Sequence, residues 1–184
     1  MPNDYTKTAI KAAFIRLLNE RPLNKISVKS IVDICNISRN TFYYHYQDIY
    51  DLLQATLSTV MEKALSENIT TWRESLMNVT RFAMENRRAV YHIYNSANRD
   101  IYEHYLMQVC QYIVETYLNT LLGGKTINQQ DREIIVTVYS CQCFGLFIDW
   151  LNNNLSDEFP QRVERLCELR KGMLEEMLER CGAE

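Results

Sequence analysis

Glycine and proline are scarce, 5 and 3 residues in a chain of 184, while leucine, isoleucine, methionine, glutamate and glutamine are plentiful. Helix breakers are few and helix formers many, so a mostly helical protein is expected. A run of about 18 apolar residues is missing, which argues against a membrane span or a membrane partner. The opening Met1-Pro2-Asn3-Asp4-Tyr5-Thr6-Lys7 lacks the apolar stretch of a secretory signal. The six cysteines (Cys35, Cys110, Cys141, Cys143, Cys167 and Cys181) show no zinc-like spacing. Cys141 and Cys143 would point to different sides of a helix, so neither a metal clamp nor a disulfide follows. No metal and no cofactor is expected, and buried free thiols in a reducing cytoplasm are the plain reading. Nucleophile-elbow, zinc-protease, phosphate-loop and dinucleotide patterns are all missing, and the cysteines and three histidines form no dyad. No catalytic residue is assigned, and an enzyme is not expected.

The chain is long enough for one large or two small domains with a real core. Its net charge of −3 divides unevenly. Residues 1–50 carry seven Lys/Arg against four Asp/Glu, whereas the remainder carries 13 basic and 19 acidic residues. A basic head on an acidic body suits a polyanionic partner met by the head alone.

The most informative stretch runs from Ser27 to Tyr46. Ser27 is a good N-cap for a helix with Val28, Ile31, Val32 and Cys35 on one face. Asn36, which tolerates the left-handed conformation, breaks that helix, and Ile37 tucks inward. Ser38 caps a second helix beginning Arg39-Asn40-Thr41. This is the helix-turn-helix pattern, in which the start of the second helix meets base edges in the major groove of double-stranded DNA.

Ser38-Arg39-Asn40-Thr41-Phe42-Tyr43-Tyr44-His45-Tyr46, followed by Asp51-Leu52-Leu53, resembles the recognition-helix signature of the TetR family of bacterial regulators. The likeness runs from about Thr6 to Leu53. Gly145 and Trp150 are similar to a glycine and a tryptophan in the penultimate helix of one subgroup, which includes relatives of the activator of dihydroxyacetone kinase genes. The resemblance implies an all-α protein: an N-terminal three-helix helix-turn-helix head and a C-terminal helical regulatory and dimerisation domain. Residues 1–50 are read as the DNA-binding domain and 51–184 as the ligand-binding and dimerisation domain.

Ile10, Ala13, Phe14, Leu17 and Leu18 keep a helical period, predicting a first helix over 6–20 that ends before Pro22. Leu23, Ile26, Val28, Ile31, Ile34, Ile37 and Phe42 are expected to complete the head core. A fourth helix over 48–67, with Ile49, Leu52, Leu53, Leu57, Val60, Met61 and Leu65 apolar, is the natural lever between head and body. Five body helices are expected, over 70–85, 87–96, 100–122, 128–153 and 159–181. The helix over 128–153 is apolar nearly all round, which requires burial on more than one face. No internal repeat is evident.

Arg39 and Asn40 sit where side chains reach base edges, Arg pairing with guanine and Asn with adenine. Thr41 faces a thymine methyl or a phosphate. The resemblance implies that Tyr43 and His45 donate to phosphate oxygens while Phe42 packs inward. Tyr44 is either a base contact or a surface ring. Lys25, Ser27 and Lys29 stand at the entry to the first motif helix, near neighbouring phosphates, and Ser38 joins the set at the start of the second. Relatives usually carry Lys where this chain has Gln47 and Ile49. Gln47 then supplies only a neutral contact, with weaker affinity and a shallower salt slope.

TetR-like bodies commonly enclose a small-molecule effector. Trp72, Phe82, Tyr91, Tyr94, Tyr105, Tyr112 and Tyr139 are the candidate lining, within a wider group holding Met84, Tyr102, Met107, His92 and His104. Surplus apolar surface on the last two helices suggests a four-helix bundle between two subunits, and the resemblance favours a homodimer. Phe147, Trp150, Leu166, Leu169, Met173 and Met177 are the candidate interface. The function implied is a cytoplasmic repressor on a palindromic operator, released by its effector. An activator of the same fold and a helical interaction module that no longer reads DNA are the alternatives.

Overall fold

The computed structural model describes residues 2–65 and 71–182, and among these there are ten α-helices and no strand. They are α1 (Pro2–Glu20), α2 (Val28–Cys35), α3 (Arg39–His45), α4 (Ile49–Leu65), α5 (Trp72–Glu85), α6 (Arg87–Tyr94), α7 (Arg99–Leu122), α8 (Gln129–Asn152), α9 (Phe159–Leu169) and α10 (Met173–Arg180). Residues 66, 67 and 70, and the side chains of Met61 and Leu65, lie outside the described residues. The chain divides into two units, Met1–Glu62 with Glu85–Glu103, and Lys63–Met84 with His104–Glu184.

In the first unit, Ile10, Phe14, Leu17, Ile31, Phe42, Leu52 and Leu53 are fully buried in one core, which Ala89 and Ile93 of α6 complete. Burying each large side chain contributes roughly 1.5–3 kcal/mol. Ile34, expected in this core, is 43% exposed. On α2 the inward face is centred on Val28, Ile31, Val32 and Cys35, and 100° steps carry Ile34 to its flank.

Pro22 decides how α1 meets α6. The helical partner of the Leu18 carbonyl would be the N–H of residue 22, and proline has none. The His92 ring on α6 supplies the donor instead, its Nδ1 lying 2.6 Å from the Leu18 oxygen. A carbonyl only accepts, so Nδ1 carries the proton. In return, the Asn19 side-chain oxygen accepts the Ala89 N–H at 3.3 Å, one of the backbone donors the first turn of α6 leaves unmatched. Each helix thus caps the other.

In the second unit, Gly123 and Gly124 both take positive φ and end α7. Asn128 then caps α8, its side chain accepting from the Asp131 N–H at 2.8 Å. Ile135, Tyr139, Cys143, Phe147, Trp150 and Leu151 of α8 are buried. On the opposite face Ile134 is 52% and Val138 44% exposed among the described residues. α8 is long and apolar enough to cross a membrane, a test that a core helix also passes, and its Tyr139, Phe147 and Trp150 rings are buried within the chain.

The helix expected over 159–181 is two helices. Gly172 adopts φ +85 between them, which ends α9 and starts α10. The apolar spacing of Leu166, Leu169, Met173 and Met177 runs straight across this break, so periodicity hides it. The body therefore holds six helices among the described residues, not five.

Candidate nucleic-acid interface

Local hydrogen bonding builds the helix-turn-helix. Ser27 and Ser30 form a reciprocal box at the start of α2: each hydroxyl oxygen accepts the other's backbone N–H, at 3.1 and 3.2 Å. Asn36 takes the left-handed conformation at φ 51, ψ 47. The Ile37 N–H then reaches back to the Val32 carbonyl at 3.1 Å, closing the end of α2. Ser38 caps α3 by accepting the Thr41 N–H at 3.0 Å, and its hydroxyl lies 2.8 Å from that of Thr41.

Phe42 sets which way α3 faces. Its ring is fully buried, edge-on to Tyr43 with centroids 5.5 Å apart and tilted against Tyr46 at 5.9 Å. Anchoring this position leaves Arg39, Asn40, Tyr43 and Tyr44 exposed, the tyrosines at 55% and 77%. The pairs 39/43 and 40/44 are one turn apart, so the outward face carries a guanidinium, an amide and two phenols. His45 is half-buried, its ring 5.0 Å from that of Tyr44. Lys25, Ser27, Lys29, Ser38 and Gln47 are exposed, and Thr41 is half-buried. Ser27, Ser38 and Thr41 have hydroxyls already engaged in capping, so their first role is to shape the motif.

The Asp48 side chain caps α4 through the Tyr50 and Asp51 N–H groups at 2.7 and 2.8 Å, and Asp51 accepts the Gln47 N–H at 2.8 Å. Gln47 is thereby held at the end of the reading helix by its backbone, with its side chain outward. Burial, with the Asp51 carboxylate adding to it, pushes the Tyr46 phenol up to about 12. Its hydroxyl is buried without a hydrogen-bond partner among the described residues.

Of the proposed effector lining, the structure brings Trp72 and Tyr139 together around a cavity of about 500 Å³ in the second unit. Sequence reading missed their companions Tyr117 and Arg170. Trp72 lies 5.8 Å from Tyr117 and 6.3 Å, edge-on, from Tyr139. Phe82 and Tyr105 are half-buried and Tyr112 is exposed, and none of them lines this cavity. Tyr91 and Tyr94 belong to the first unit, Tyr91 exposed and Tyr94 buried beneath the Arg99 guanidinium, 4.0 Å from its ring.

Among the residues proposed for a subunit interface, Leu169, Met173 and Met177 are exposed and Leu166 is half-buried. Phe147 and Trp150 are buried within the chain. Trp150 stacks on Phe159 at 4.2 Å and donates its indole N–H to the Ser156 carbonyl at 3.0 Å. Gly145 is exposed on α8, and a methyl group placed there would meet nothing within 4 Å.

Two family models match the chain. Residues 10–56 match the one described as bacterial regulatory proteins, tetR family, and residues 70–172, more than half of the chain, match a transcriptional regulator C-terminal region of the TetR series. The solved structure of the dihydroxyacetone kinase operon activator DhaS is similar, with a TM-score of 0.74 at 16% identity, covering 96% of this chain and 96% of that one. Salmonella enterica GusR is similar with a TM-score of 0.57 at 18% identity, covering 88% of this chain and 92% of that one. Identities this low establish a shared fold. No curated protein matches the chain.

Proposed function

We propose, from the premise that this chain belongs to the TetR family and is therefore a DNA-binding transcriptional regulator, that it acts as a cytoplasmic homodimeric repressor. Its target is a palindromic operator, and a small-molecule effector releases it. It works by binding rather than by catalysis. The observation that carries the reading is α3, a short capped helix with Phe42 anchored inside and Arg39, Asn40, Tyr43 and Tyr44 turned out. Arg39 and Asn40 read bases; Tyr43 and His45 donate to phosphates. Lys25, Ser27, Lys29, Ser38, Thr41 and Gln47 hold the surrounding backbone. Residues 1–50 hold the side chains that meet DNA, on a core completed by Leu52, Leu53, Ala89 and Ile93, and the remainder of residues 51–184 carries dimerisation and the response to the effector.

The homodimer is supported by apolar surface exposed among the described residues. Ile134 and Val138 on α8, with Leu169, Met173 and Met177 on α9 and α10, are exposed. Gly145 adds to this. A glycine inside a helix costs roughly 0.5–1 kcal/mol against alanine, and among the described residues of its own chain none lies within 4 Å of a methyl group placed there. Close approach of a second subunit would require the glycine. In this arrangement Leu166, Leu169, Met173 and Met177 form the seam, and Phe147 and Trp150 are the packed layer beneath it. A two-fold dimer then presents two copies of α3 to half-sites about one helical turn apart, or a multiple of it.

The activator alternative rests on the likeness of Gly145 and Trp150 to the dihydroxyacetone kinase activator subgroup. The test is selection of bound duplexes from a random pool, with the retained sequences titrated against salt. An enriched palindrome whose affinity falls with salt supports a dimeric reader. Absence of enrichment would overturn sequence-specific regulation in favour of a helical interaction module. Transcription from the selected operator in vitro separates repression from activation.

A further inference from the structure

The cavity in the second unit holds a positive charge on aromatic faces. The Arg170 guanidinium lies 4.6 Å from the centroid of the Tyr139 ring and 5.9 Å from that of Trp72. Tyr117 closes the third side and donates its hydroxyl to Glu175 at 3.3 Å. Around these rings stand Glu164, Glu168 and Glu175, with Arg73 and Lys171. Arg73 is committed to Glu164 at 2.5 Å. Glu168 is likewise paired with Arg165, outside the lining, at 2.7 Å, which leaves Glu175 as the carboxylate beside the rings. Burial raises the Tyr117 phenol and the Cys167 thiol above their ordinary values, while the charged groups around them, Arg73, Glu164 and Glu168, face solvent. Aromatic faces attract a cation through the ring quadrupole, and a nearby carboxylate adds to that attraction.

We propose that Trp72, Tyr117 and Tyr139 form a binding site for an organic cation, and that this ligand displaces the Arg170 guanidinium from the rings. The proposal deepens the effector reading and rests on it for its regulatory meaning, though not for the binding itself. A monocation with an alkyl or aryl body takes the place of the Arg170 guanidinium on the rings and fits a cavity of about 500 Å³. Arg170 is placed to leave. It is the C-cap residue of α9, followed only by Lys171 before Gly172 at φ +85. Its neighbours along the chain, Leu169 and Met173, are the exposed apolar residues assigned to the subunit seam. Displacement of one side chain thus acts on the joint between the two helices that form the seam.

Ethylguanidinium is the probe, because it reproduces the group the rings already hold, and ethylurea is its neutral counterpart. Binding to the full chain is followed by calorimetry and by quenching of tryptophan fluorescence, with circular dichroism establishing that each variant is folded. Arg170→Ala removes the internal competitor, so ethylguanidinium should bind it about tenfold more tightly than the parent protein. Trp72→Leu with Arg170→Ala should lose that binding, and ethylurea should bind neither. Equal affinity for parent and Arg170→Ala, or equal affinity for ethylguanidinium and ethylurea, overturns the cation site. Saturable binding of benzoate that Arg170→Ala abolishes also overturns it, by showing that Arg170 recognises anions. Binding of the cation with no change in affinity for the selected operator upholds the site and overturns its role as the effector site.

Discussion

Removing the His92 ring should destabilise the protein by more than an ordinary half-buried substitution, because Pro22 leaves its acceptor no alternative. In His92→Ala the Leu18 carbonyl loses its 2.6 Å donor, and residue 22 has no N–H with which to replace it. Leaving a buried acceptor unsatisfied costs about 1–3 kcal/mol. His92 is only half-buried, so water recovers part of this, and roughly 1–2 kcal/mol is the expected loss. Asn19→Ala removes the cap on Ala89, a longer bond at 3.3 Å, for about 0.5–1.5 kcal/mol. Both bonds join α1 to α6, so breaking one loosens the other. The double variant should therefore cost less than the sum of the singles by at least roughly 0.5 kcal/mol. Urea unfolding followed by circular dichroism, at one fixed protein concentration, measures each value. His92→Asn, whose amide N–H approximates the position of Nδ1, should restore most of the loss. The reasoning fails if His92→Ala lies within about 0.5 kcal/mol of the parent, or if His92→Asn and His92→Ala are equally destabilised.

Arg39→Ala with Tyr43→Phe should weaken operator binding by more than tenfold while leaving the unfolding midpoint and subunit mass unchanged, measured by duplex titration and light scattering. Gly145→Ala should stabilise the helix by about 0.5–1 kcal/mol yet weaken self-association, so stability and sedimentation should move in opposite senses. Raising pH should destabilise the fold between about pH 10 and 12, because the native Tyr46 phenol keeps its proton up to about 12 while the unfolded one loses it near 10. Tyr46→Phe should flatten that part of the stability profile. Cys141 should react first with a thiol reagent, being exposed, whereas buried Cys110, whose thiol the neighbouring Cys143 and burial push up, should react only on unfolding.

The helix-turn-helix was legible because its determinants are local. Ser27, Asn36 and Ser38 each act within five residues of their own position, so their chemistry is written in order along the chain. What was not legible depends on neighbours far apart in sequence. Nothing in the segment around Tyr117 announces that Arg170 will lie on the ring of Tyr139, because only the packing of α7, α8 and α9 assembles that cluster. The break at Gly172 was masked by an apolar spacing that a broken and an unbroken helix share. Ile34 was misread by hydrophobicity alone, since its angle on α2, not its composition, exposes it. Phe147 and Trp150 are apolar rings on α8 whose spacing does not say whether Phe159 or a second subunit covers them.

The first unit is built from two separate passages of the chain. Ala89 and Ile93 complete a core whose other members end at Leu53, and His92 and Asn19 tie the passages together. The reading head is therefore not a cassette that a cut near residue 50 would release. An exchange of heads between two such proteins, by recombination or by design, has to carry the Glu85–Glu103 passage with the first sixty residues. A crossover placed after α4 alone would join a head to a foreign α6 that neither fills its core nor caps its first helix.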